Sequence, residues 1–313
     1  MSRIHEALKK AEQERATSQG GPATQPNLAT AAAPESPLLP DESSRAVPPA
    51  VPVGMQSNSA VPPFASPFNF DALLARSAQL QWEPDAKTML FFDKGEAARG
   101  AEQFRTLRSR LYHLREKMTL KKILVTSALP KEGKSFTAAN LAQVLVRQHG
   151  RRVLLIDGDL RAPSLHLMLG TTFSPGLADY LQGESDEFSI IQRGPMENLF
   201  FIPSGRQIAN SAELVANGRL KLLLQRIEPV FDWIILDSPP AVPVSDASLL
   251  AKACDGVLIV VRSNATPFEM ARRAKQEFPD QALVGVVLNG ADGEFAAYAR
   301  YYYDPYLKKE PKA

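Results

Sequence analysis

Cysteine is almost absent from this chain, and long apolar runs are absent altogether. The 313 residues include one cysteine, Cys254, which excludes a disulfide framework and a zinc site built from several cysteines. No base is evident beside it, so we expect a buried structural thiol rather than a nucleophile. No apolar stretch approaches the roughly 20 residues that a helix needs to cross a bilayer. The first residues, MSRIHEA, lack the apolar core of a signal peptide, and we expect a cytoplasmic protein.

A strong charge of either sign is also lacking. The 36 basic and 34 acidic residues leave a formal net charge of +2, which is too small to attract nucleic acid, and no basic block or DNA-reading motif accompanies it. We therefore expect no nucleic-acid partner. Hydrophobic residues make up 44% and charged residues 22% of the chain, as in ordinary globular proteins. The length allows one large α/β domain or two small ones.

The N-terminal part differs in composition from the rest. Residues 1–16 are strong helix formers with Ile4, Leu8 and Ala11 on one stripe. An isolated helix of this length is marginal in water, so it either docks on a partner surface or is a frayed terminus. Residues 17–87 are rich in Pro, Ala and Ser, with eleven of the 25 prolines between Pro22 and Pro67. Such a composition predicts a disordered linker.

An aromatic and aliphatic cluster lies near the end of this predicted linker. Its members are Phe64, Phe68, Phe70, Leu73 and Leu74. The cluster is either a docking patch for another protein or a lead-in that packs loosely on the domain that follows. The sequence leaves both interpretations open.

From about residue 88 apolar runs alternate with helical patterns. Amphipathic helices are expected over residues 97–116 and 134–148, the second with Gly150 as its C-terminal cap. Runs rich in Val, Ile and Leu predict strands at 122–126, 152–157, 199–203, 232–237, 256–261 and 283–289. Strands of this kind separated by helices predict a mostly parallel sheet with helices on both faces.

The first predicted strand leads into the segment SALPKEGKS, residues 127–135, which a predicted helix follows. Its last three residues match the end of a Walker A loop, although Ser127 stands where the first glycine is usual. In such a loop backbone N–H groups cradle phosphate, the lysine reaches the β and γ phosphates, and the hydroxyl binds Mg²⁺. The segment predicts a P-loop NTPase fold. The residues expected around the nucleotide are Pro130, Lys131, Glu132, Gly133, Lys134, Ser135 and Phe136.

Aspartates end two other predicted strands. Asp157 and Asp159 lie in IDGDLR, and Asp237 lies in ILDSPP. Because parallel strands end at one edge of a sheet, these carboxylates converge on the phosphate loop, and Mg²⁺ prefers such oxygen ligands. An aspartate often merely begins a turn, but three beside a phosphate loop predict a site. We expect Ser135 and the three aspartates to hold Mg²⁺, and Lys134 and the same aspartates to act in catalysis.

The nucleotide base is predicted to be adenine. Guanine-selective relatives carry Asn-Lys-x-Asp after a late strand, whereas Asn289 here is followed by Gly290, Ala291 and Asp292. The lysine is missing, so guanine selectivity is not encoded. We expect ATP as the nucleotide, with Asn289 near the base.

With these motifs in place, the chain resembles the bacterial tyrosine kinases (BY-kinases) of exopolysaccharide and capsule assembly, over about residues 95–306. The resemblance implies a kinase domain over 88–296, a tyrosine-rich tail over 297–313, and ATP-dependent protein-tyrosine autokinase activity that regulates polysaccharide polymerisation or export. The segments that carry it are EQFRTLR (102–108), PKEGKS (130–135), DGDLR (157–161), PSG (203–205), NSAEL (210–214) and IILD (234–237).

The resemblance also implies ring-like self-association through Glu102, Arg105 and Arg108, with the arginines presented to a neighbour's active site. Taken alone, the residues would indicate only a solvated Glu102–Arg105 pair. In the same family a C-terminal tyrosine cluster is autophosphorylated, and Asp157 or Asp159 would accept the tyrosine proton. Five of the seven tyrosines lie within nine residues here, at Tyr298, Tyr301, Tyr302, Tyr303 and Tyr306. The duller alternative is that these aromatics pack against the core.

Some features depart from the family or favour a rival. Relatives commonly have glycine where Lys131 stands, and if that position needs a positive φ, lysine occupies it at some cost. One rival is a septum- or plasmid-partitioning ATPase of the same fold. Those proteins carry a lysine five residues before the Walker lysine, where this chain has Leu129. The other rival is a non-catalytic ATP-binding scaffold of an export complex.

Partners follow from the resemblance. Many family members are activated by a membrane polysaccharide co-polymerase, or chain-length regulator, and a protein tyrosine phosphatase reverses the modification. Because the chain has no apolar segment of spanning length, we expect the co-polymerase to be a separate polypeptide. The N-terminal helix and linker would tether the kinase to it at the inner face of the plasma membrane.

Overall fold

Residues 68–92 and 100–291 are described by the computed structural model. The predicted N-terminal helix, most of the predicted linker and the tyrosine-rich tail lie outside these residues. The strands are β1 Ala78–Gln79, β2 Lys122–Ser127, β3 Val153–Asp157, β4 Gln192–Arg193, β5 Leu199–Ile202, β6 Trp233–Asp237, β7 Gly256–Arg262 and β8 Leu283–Asn289. The α-helices are α1 Phe70–Arg76, α2 Ala101–Arg115, α3 Lys134–Val146, α4 Leu165–Leu169, α5 Leu177–Gln182, α6 Ser211–Ala216, α7 Arg219–Ile227, α8 Asp246–Ala251 and α9 Phe268–Gln276. Two short 3-10 helices cover Glu228–Val230 and Asp280–Ala282.

The described strands form one sheet in the order β1-β4-β5-β3-β6-β2-β7-β8. Every neighbouring pair is parallel except β4 and β5, which are antiparallel. The predicted mostly parallel sheet is confirmed, and all six predicted strands are present with ends that shift by at most one residue. Buried parallel strands are continuous apolar runs, which is why they were readable in the sequence.

Side chains of the central strands alternate between two hydrophobic cores. In β3, Leu154 and Ile156 enter one core while Val153 and Leu155 enter the other. The first core is covered by α5, α7 and α8, and the second by α2 and α3. Since successive side chains of a strand point to opposite faces, the two cores lie on the two faces of the sheet. Helices on both faces were predicted and are confirmed.

Helix α3, which follows the phosphate loop, is enclosed almost completely. Eleven of its 13 residues are buried, because it lies between the sheet and α2. Its alanines, such as Ala138 and Ala142, allow close approach of backbones. The helix ends at Val146 with Arg147 as its C-cap, and Gly150 lies in the following turn with φ +70. The prediction that Gly150 caps the helix is therefore wrong, since the helix ends earlier.

The predicted end of the linker at residue 87 is also wrong, because folded structure begins by residue 68. Helix α1 is capped by Asn69, whose Oδ1 accepts the N–H of Ala72 at 2.8 Å, and Leu73 is fully buried. The ring of Phe68 stacks on Phe188 at 4.8 Å between centroids. The packed lead-in was therefore the correct interpretation for these residues, whereas Phe64 lies outside the described part of the chain.

After β1 the chain forms a belt, residues 80–92, that reaches α3. The N–H of Leu90 donates to Oδ1 of Asn140 at 2.8 Å, and the N–H of Phe91 donates to Oε1 of Gln143 at 3.2 Å. Asn140 returns a hydrogen bond of 2.8 Å to the carbonyl of Thr88. Both amide side chains are completely buried, so the belt satisfies polar groups that the core alone would leave unpaired.

The structure bears on two expectations from the sequence, which concern the role of Cys254 and membrane-spanning helices. Burial raises the pKa of the Cys254 thiol to about 12, which agrees with a structural role rather than a nucleophile. None of the helices within residues 68–92 and 100–291 combines the length and apolar composition that a bilayer-spanning helix needs.

Adjacent leucines in α1 test whether the lead-in belongs to the fold. Leu73 is 0% exposed and Leu74 is 37% exposed. We expect Leu73→Ala to lower the free energy of unfolding by about 2–5 kcal/mol, because it leaves a cavity in the core. Leu74→Ala serves as the matched control and should cost well under about 1 kcal/mol. Urea unfolding of both variants measures the difference, and equal small effects would show that residues 68–76 are not part of the cooperative unit.

Candidate active site

Three neighbouring strands bring the predicted site together at their carboxyl ends. β6 lies between β3 and β2 in the sheet. Asp157, the last residue of β3, pairs in register with Asp237, the last residue of β6. The phosphate loop, residues 128–133, connects β2 to α3. Because these strands are parallel, the loop and both aspartates meet at one edge, where ligands of such sheets bind.

Two residues of the phosphate loop have a left-handed backbone. Lys131 has φ +66 and Gly133 has φ +95. A Cβ added at Gly133 would lie 2.0 Å from Nδ2 of Asn289, so this position requires glycine for both space and conformation. Lysine enters the left-handed region at a cost of about 1–2 kcal/mol. Because Lys131 has a positive φ, the conformational cost expected for a lysine at this position applies.

Lys134 begins α3 and directs its ammonium into a group of carboxylates. Nζ lies 2.9 Å from Oδ2 of Asp159 and 4.0 Å from Oδ2 of Asp237, and it donates to Oγ of Ser135 at 3.2 Å. Burial lowers the pKa of Lys134, but the charges of Asp237 and Asp159 outweigh burial and hold the pKa above its ordinary value. Lys134 therefore stays a cation at neutral pH.

Asp157 is completely buried and accepts several backbone hydrogen bonds. Its Oδ2 accepts the N–H groups of Leu165 at 3.1 Å and Ser164 at 3.3 Å, and its Oδ1 accepts the N–H of Asp159 at 3.2 Å. Burial, and then the negative charge of Asp237, raises the pKa of Asp157 to about 8. The N–H donors favour the ionised form, but they do not offset burial.

Asp237 is also completely buried, and its carboxylate oxygens accept no hydrogen bond of ordinary geometry from the described residues, although the Ser135 hydroxyl and the Ser238 N–H lie near enough to act on its pKa. Burial raises its pKa to about 6, against the opposing charge of Lys134. Unpartnered buried oxygens are rare in folded proteins and call for a ligand. A cation bound at Asp237 would satisfy them.

These surroundings fit Mg²⁺ held jointly by the protein and a nucleotide. Within the described ranges, no group of three or more His, Cys, Asp and Glu side chains is arranged to hold a metal ion by itself. Mg²⁺ usually takes one or two carboxylates together with substrate phosphates and water. Asp237 offers free carboxylate oxygens and Ser135 offers its hydroxyl. Asp157 and Asp159, the other two predicted ligands, already accept backbone N–H groups or contact Lys134.

Further residues predicted around the nucleotide have other contacts. Pro130 lies in the loop itself. The ring of Phe136 packs edge-on against Phe104 of α2, with 5.8 Å between centroids, so its side chain serves helix packing. Asn289, the last residue of β8, donates from Nδ2 to the carbonyl of Glu132 at 2.9 Å. Its amide therefore holds the phosphate loop, and contact with the base stays a prediction.

The three residues predicted for self-association lie on α2. Arg105 pairs with Glu102 at 2.8 Å, and both side chains remain more than 40% exposed. Arg108 donates from Nη1 to the carbonyl of Val144 at 3.0 Å. An exposed pair of this kind contributes a few tenths of a kcal/mol within the chain. Their role at a neighbour's site stays a prediction, as do the five tail tyrosines, which lie outside the described residues.

An ion pair behind the aspartate loop was missed from sequence. Asp246, in the first turn of α8, is buried and binds Arg161 through two hydrogen bonds of 2.9 and 3.0 Å. It also accepts the hydroxyl of Ser211 at 2.6 Å. Arg161 and Ser211 lie in the motifs DGDLR and NSAEL, so the pair joins both motifs to α8. The only sequence signal was an acidic residue at a helix start, which is too common to single out.

The raised pKa of Asp157 predicts a pH dependence of stability. Between its unfolded pKa near 4 and its folded pKa of about 8, the native state holds more protons than the unfolded state. Stability from this group is therefore full at low pH and is lost as pH rises through 8. We expect the free energy of unfolding without Mg²⁺ or nucleotide to fall less between pH 5 and 9 in Asp157→Asn than in the wild type.

Urea unfolding at the two pH values measures this difference. Asp246→Asn is the matched control. Arg161 and Ser211 outweigh burial and hold the pKa of Asp246 below its ordinary value. The stability that this carboxylate contributes is therefore lost only at acidic pH. The control should be less stable, but its free energy of unfolding should change between pH 5 and 9 as much as that of the wild type. Equal slopes for the wild type and Asp157→Asn would contradict the assignment.

Comparison with known proteins agrees with this geometry. Residues 121–271 match a family described as an AAA domain. Tyrosine-protein kinase YwqD of Bacillus subtilis (strain 168) is 36% identical over 192 residues, which cover 61% of this chain and 81% of YwqD. The succinoglycan biosynthesis transport protein ExoP of Rhizobium meliloti (strain 1021) is 35% identical over 185 residues, which cover 57% of this chain but only 23% of ExoP.

Solved structures show the same likeness. The kinase domain of Escherichia coli tyrosine kinase ETK superposes with a TM-score of 0.58 and 28% identity, over 65% of this chain and 80% of that domain. The phosphate loop and the aspartates at 157, 159 and 237 lie within residues 121–271, the segment that matches the AAA domain family. On the identity with YwqD and the extent of the match, the chain belongs to the bacterial tyrosine-protein kinase (BY-kinase) family.

Proposed function

We propose that the protein is an ATP-dependent protein-tyrosine autokinase that phosphorylates its C-terminal tyrosines in trans and regulates exopolysaccharide polymerisation or export. The observation that carries the proposal is the contact of Lys134 with Asp159 beside the unpartnered carboxylate of Asp237. This arrangement suits a bound triphosphate with Mg²⁺. No specific observation favours the partition-type ATPase or the non-catalytic scaffold.

Each side chain has a proposed task in the site. N–H groups of the loop and of the start of α3 bind phosphate oxygens, and Lys134 offsets charge on the β and γ phosphates. Ser135 and Asp237 hold Mg²⁺, which neutralises charge on the phosphates when it is bound. Asn289 keeps the loop in shape through its bond to the Glu132 carbonyl. ATP is the expected nucleotide, because the lysine of the guanine-selective motif is missing after Asn289.

The reaction transfers one phosphoryl group to a tyrosine. A tyrosine hydroxyl has a pKa near 10 and must lose its proton as its oxygen bonds to the γ phosphorus. The bond between that phosphorus and the bridging oxygen breaks, and ADP leaves with the electron pair. Asp159 is the proposed proton acceptor because its carboxylate contacts Lys134, which places it nearest the γ phosphate. Asp157, bound by three backbone N–H groups, holds the aspartate loop in place.

The proposed acceptors are Tyr298, Tyr301, Tyr302, Tyr303 and Tyr306. The described fold ends at residue 291, two residues after Asn289, whose side chain contacts the phosphate loop. Each phosphate adds about −1.5 to −2 charges, so full modification adds roughly −8 to −10. That change exceeds the formal net charge of +2 and would repel the tail from the carboxylates of a catalytic site.

Assembly and partners complete the proposal. Transfer in trans requires self-association, for which Glu102, Arg105 and Arg108 on α2 are the proposed contacts. A membrane polysaccharide co-polymerase is the proposed activator, bound through residues 1–16 at the inner face of the membrane, and a protein tyrosine phosphatase would reverse the modification. The link to polysaccharide rests on the family and on a relative named for succinoglycan biosynthesis. Undiminished co-purification of the co-polymerase after deletion of residues 1–20 would count against the tether.

Autokinase activity is tested by incubating the full chain with Mg-ATP and analysing the C-terminal peptide by mass spectrometry. We expect phosphate on Tyr298–Tyr306 in the wild type and a loss of at least about 100-fold in Lys134→Ala, because the phosphates lose their buried counter-charge. Lys252→Ala, at an exposed lysine after α8, is the matched control and should remain active. Hydrolysis of ATP with unmodified tyrosines would contradict the proposal.

Transfer in trans is tested by mixing tagged wild-type protein with untagged Lys134→Ala protein. The untagged tail should become phosphorylated if one copy serves another. Arg105→Ala in both partners should slow this labelling and weaken self-association in sedimentation velocity, while stability changes by less than about 0.5 kcal/mol because the arginine is exposed. Arg273→Ala on α9 provides an exposed-arginine control. An unlabelled Lys134→Ala tail would indicate transfer within one chain.

A further inference from the structure

Glu132 is an acidic residue inside a loop that must bind an anion. It lies between Lys131 and Gly133, yet its side chain is turned into the protein and only 4% of the residue is exposed. Its Oε2 accepts the N–H of Leu129 at 2.8 Å, and its Oε1 accepts a short hydrogen bond from the hydroxyl of Thr266. A carboxylate free to face the loop interior would repel phosphate, so its fixed direction matters for binding.

Thr266 can hold the Glu132 carboxylate in this direction because both hydrogen-bond partners of its hydroxyl are defined. It lies between β7 and α9, and its Oγ1 accepts the N–H of Arg262 at 2.8 Å. A hydroxyl has a single proton to donate. With a backbone donor on its oxygen, Thr266 directs this proton to Glu132. The threonine therefore links the end of β7 to the phosphate loop, 134 residues away in sequence.

The backbone of the loop is held from the same side. The carbonyl of Lys131 accepts Nη1 of Arg262 at 3.2 Å, and the carbonyl of Glu132 accepts Nδ2 of Asn289 at 2.9 Å. These two carbonyls cannot turn toward a bound phosphate while β7 and β8 hold them. Left-handed residues at Lys131 and Gly133 produce the concave run of N–H groups that binds anions. The Glu132 side chain and both carbonyls are thus held away from the site together.

We propose that Thr266 is a positioning residue of the nucleotide site, acting through Glu132 to keep negative charge out of the phosphate loop. The inference rests on the proposed function, because it concerns the same nucleotide. Without the hydroxyl, Oε1 of Glu132 loses its donor, and only the N–H of Leu129 still holds the carboxylate. The carboxylate then swings toward Lys134 more readily and competes with phosphate. Nucleotide affinity should then fall. The nucleotide-free fold also loses the two hydrogen bonds of the hydroxyl, so a modest loss of its own stability accompanies the loss of affinity.

The experiment measures the dissociation constants of Mg-ADP and Mg-ATP by calorimetry for the full chain. Thr266→Val keeps the shape of the side chain without the hydroxyl, and we expect binding about 10-fold weaker, since the released carboxylate of Glu132 repels the phosphates. Thr266→Ser restores the hydroxyl and should bind within about 2-fold of the wild type. If Thr266→Val does not fold, Thr266→Ala removes the same group with less bulk.

Thermal unfolding with and without Mg-ADP separates positioning from a general structural role. A positioning role predicts that Mg-ADP raises the melting temperature of Thr266→Val less than that of the wild type, beyond any modest difference between the two without nucleotide. Ser248→Ala is the matched control, because Ser248 also donates to a glutamate, Glu277, at 3.4 Å but outside the loop. It should bind nucleotide as the wild type does.

The possible outcomes separate this inference from the proposed function. Wild-type affinity in Thr266→Val, or equal weakening in Thr266→Ser, overturns the positioning role while leaving the kinase proposal in place. A wild-type protein that binds neither Mg-ADP nor Mg-ATP overturns both. Weakened binding in Thr266→Val with rescue in Thr266→Ser and no change in Ser248→Ala supports the role of the hydroxyl.

Discussion

Three buried carboxylates and one partly buried ammonium lie together where β2, β3 and β6 end. Fully ionised, they would carry a net charge of about −2 in a place with little water, which is costly. Burial raises the pKa of Asp157 to about 8 and that of Asp237 to about 6, so near neutral pH a proton on Asp157 lowers this cost. A metal ion at Asp237 would compete with protons, and occupation of the site is therefore coupled to pH and to stability.

The surrounding fold keeps this strained group in position. Helix α3 is buried between the sheet and α2, which fixes the backbone position of the lysine at its start. The pair of Arg161 with Asp246 anchors the aspartate loop from behind. Contacts from β7 and β8 hold the phosphate loop from the other side. The site is thus fixed by elements that are distant in sequence, and its chemistry depends on their packing.

Features formed by residues close in sequence were predictable, whereas contacts between residues distant in sequence were not. Strands, phosphate loop and aspartates were predictable because each is a local pattern: a buried apolar run, or polar residues at the end of one. The contact of Thr266 with Glu132 and the pair of Arg161 with Asp246 span 134 and 85 residues, and nothing local marks the partners. Leu73 was recognised as part of an apolar cluster, but the sequence left open whether that cluster binds another protein or packs on the domain, because the proline-rich stretch around it predicts a linker.

The buried amides of α3 have an evolutionary consequence. Asn140 and Gln143 bind main-chain groups of the belt at residues 88, 90 and 91, and among the belt side chains Gln143 also contacts Met89, whose Sδ accepts its Nε2 at 3.2 Å. The identities of the belt residues are thus weakly constrained by this contact, and substitutions there can accumulate while the docking geometry persists. In divergent homologues the exposed residues of the belt would lose recognisable similarity long before the belt lost its place on the helix, whereas Trp82, Met89 and Phe91 are buried in the core and would stay apolar. The two amides, rather than the belt, are the positions at which its presence should be sought.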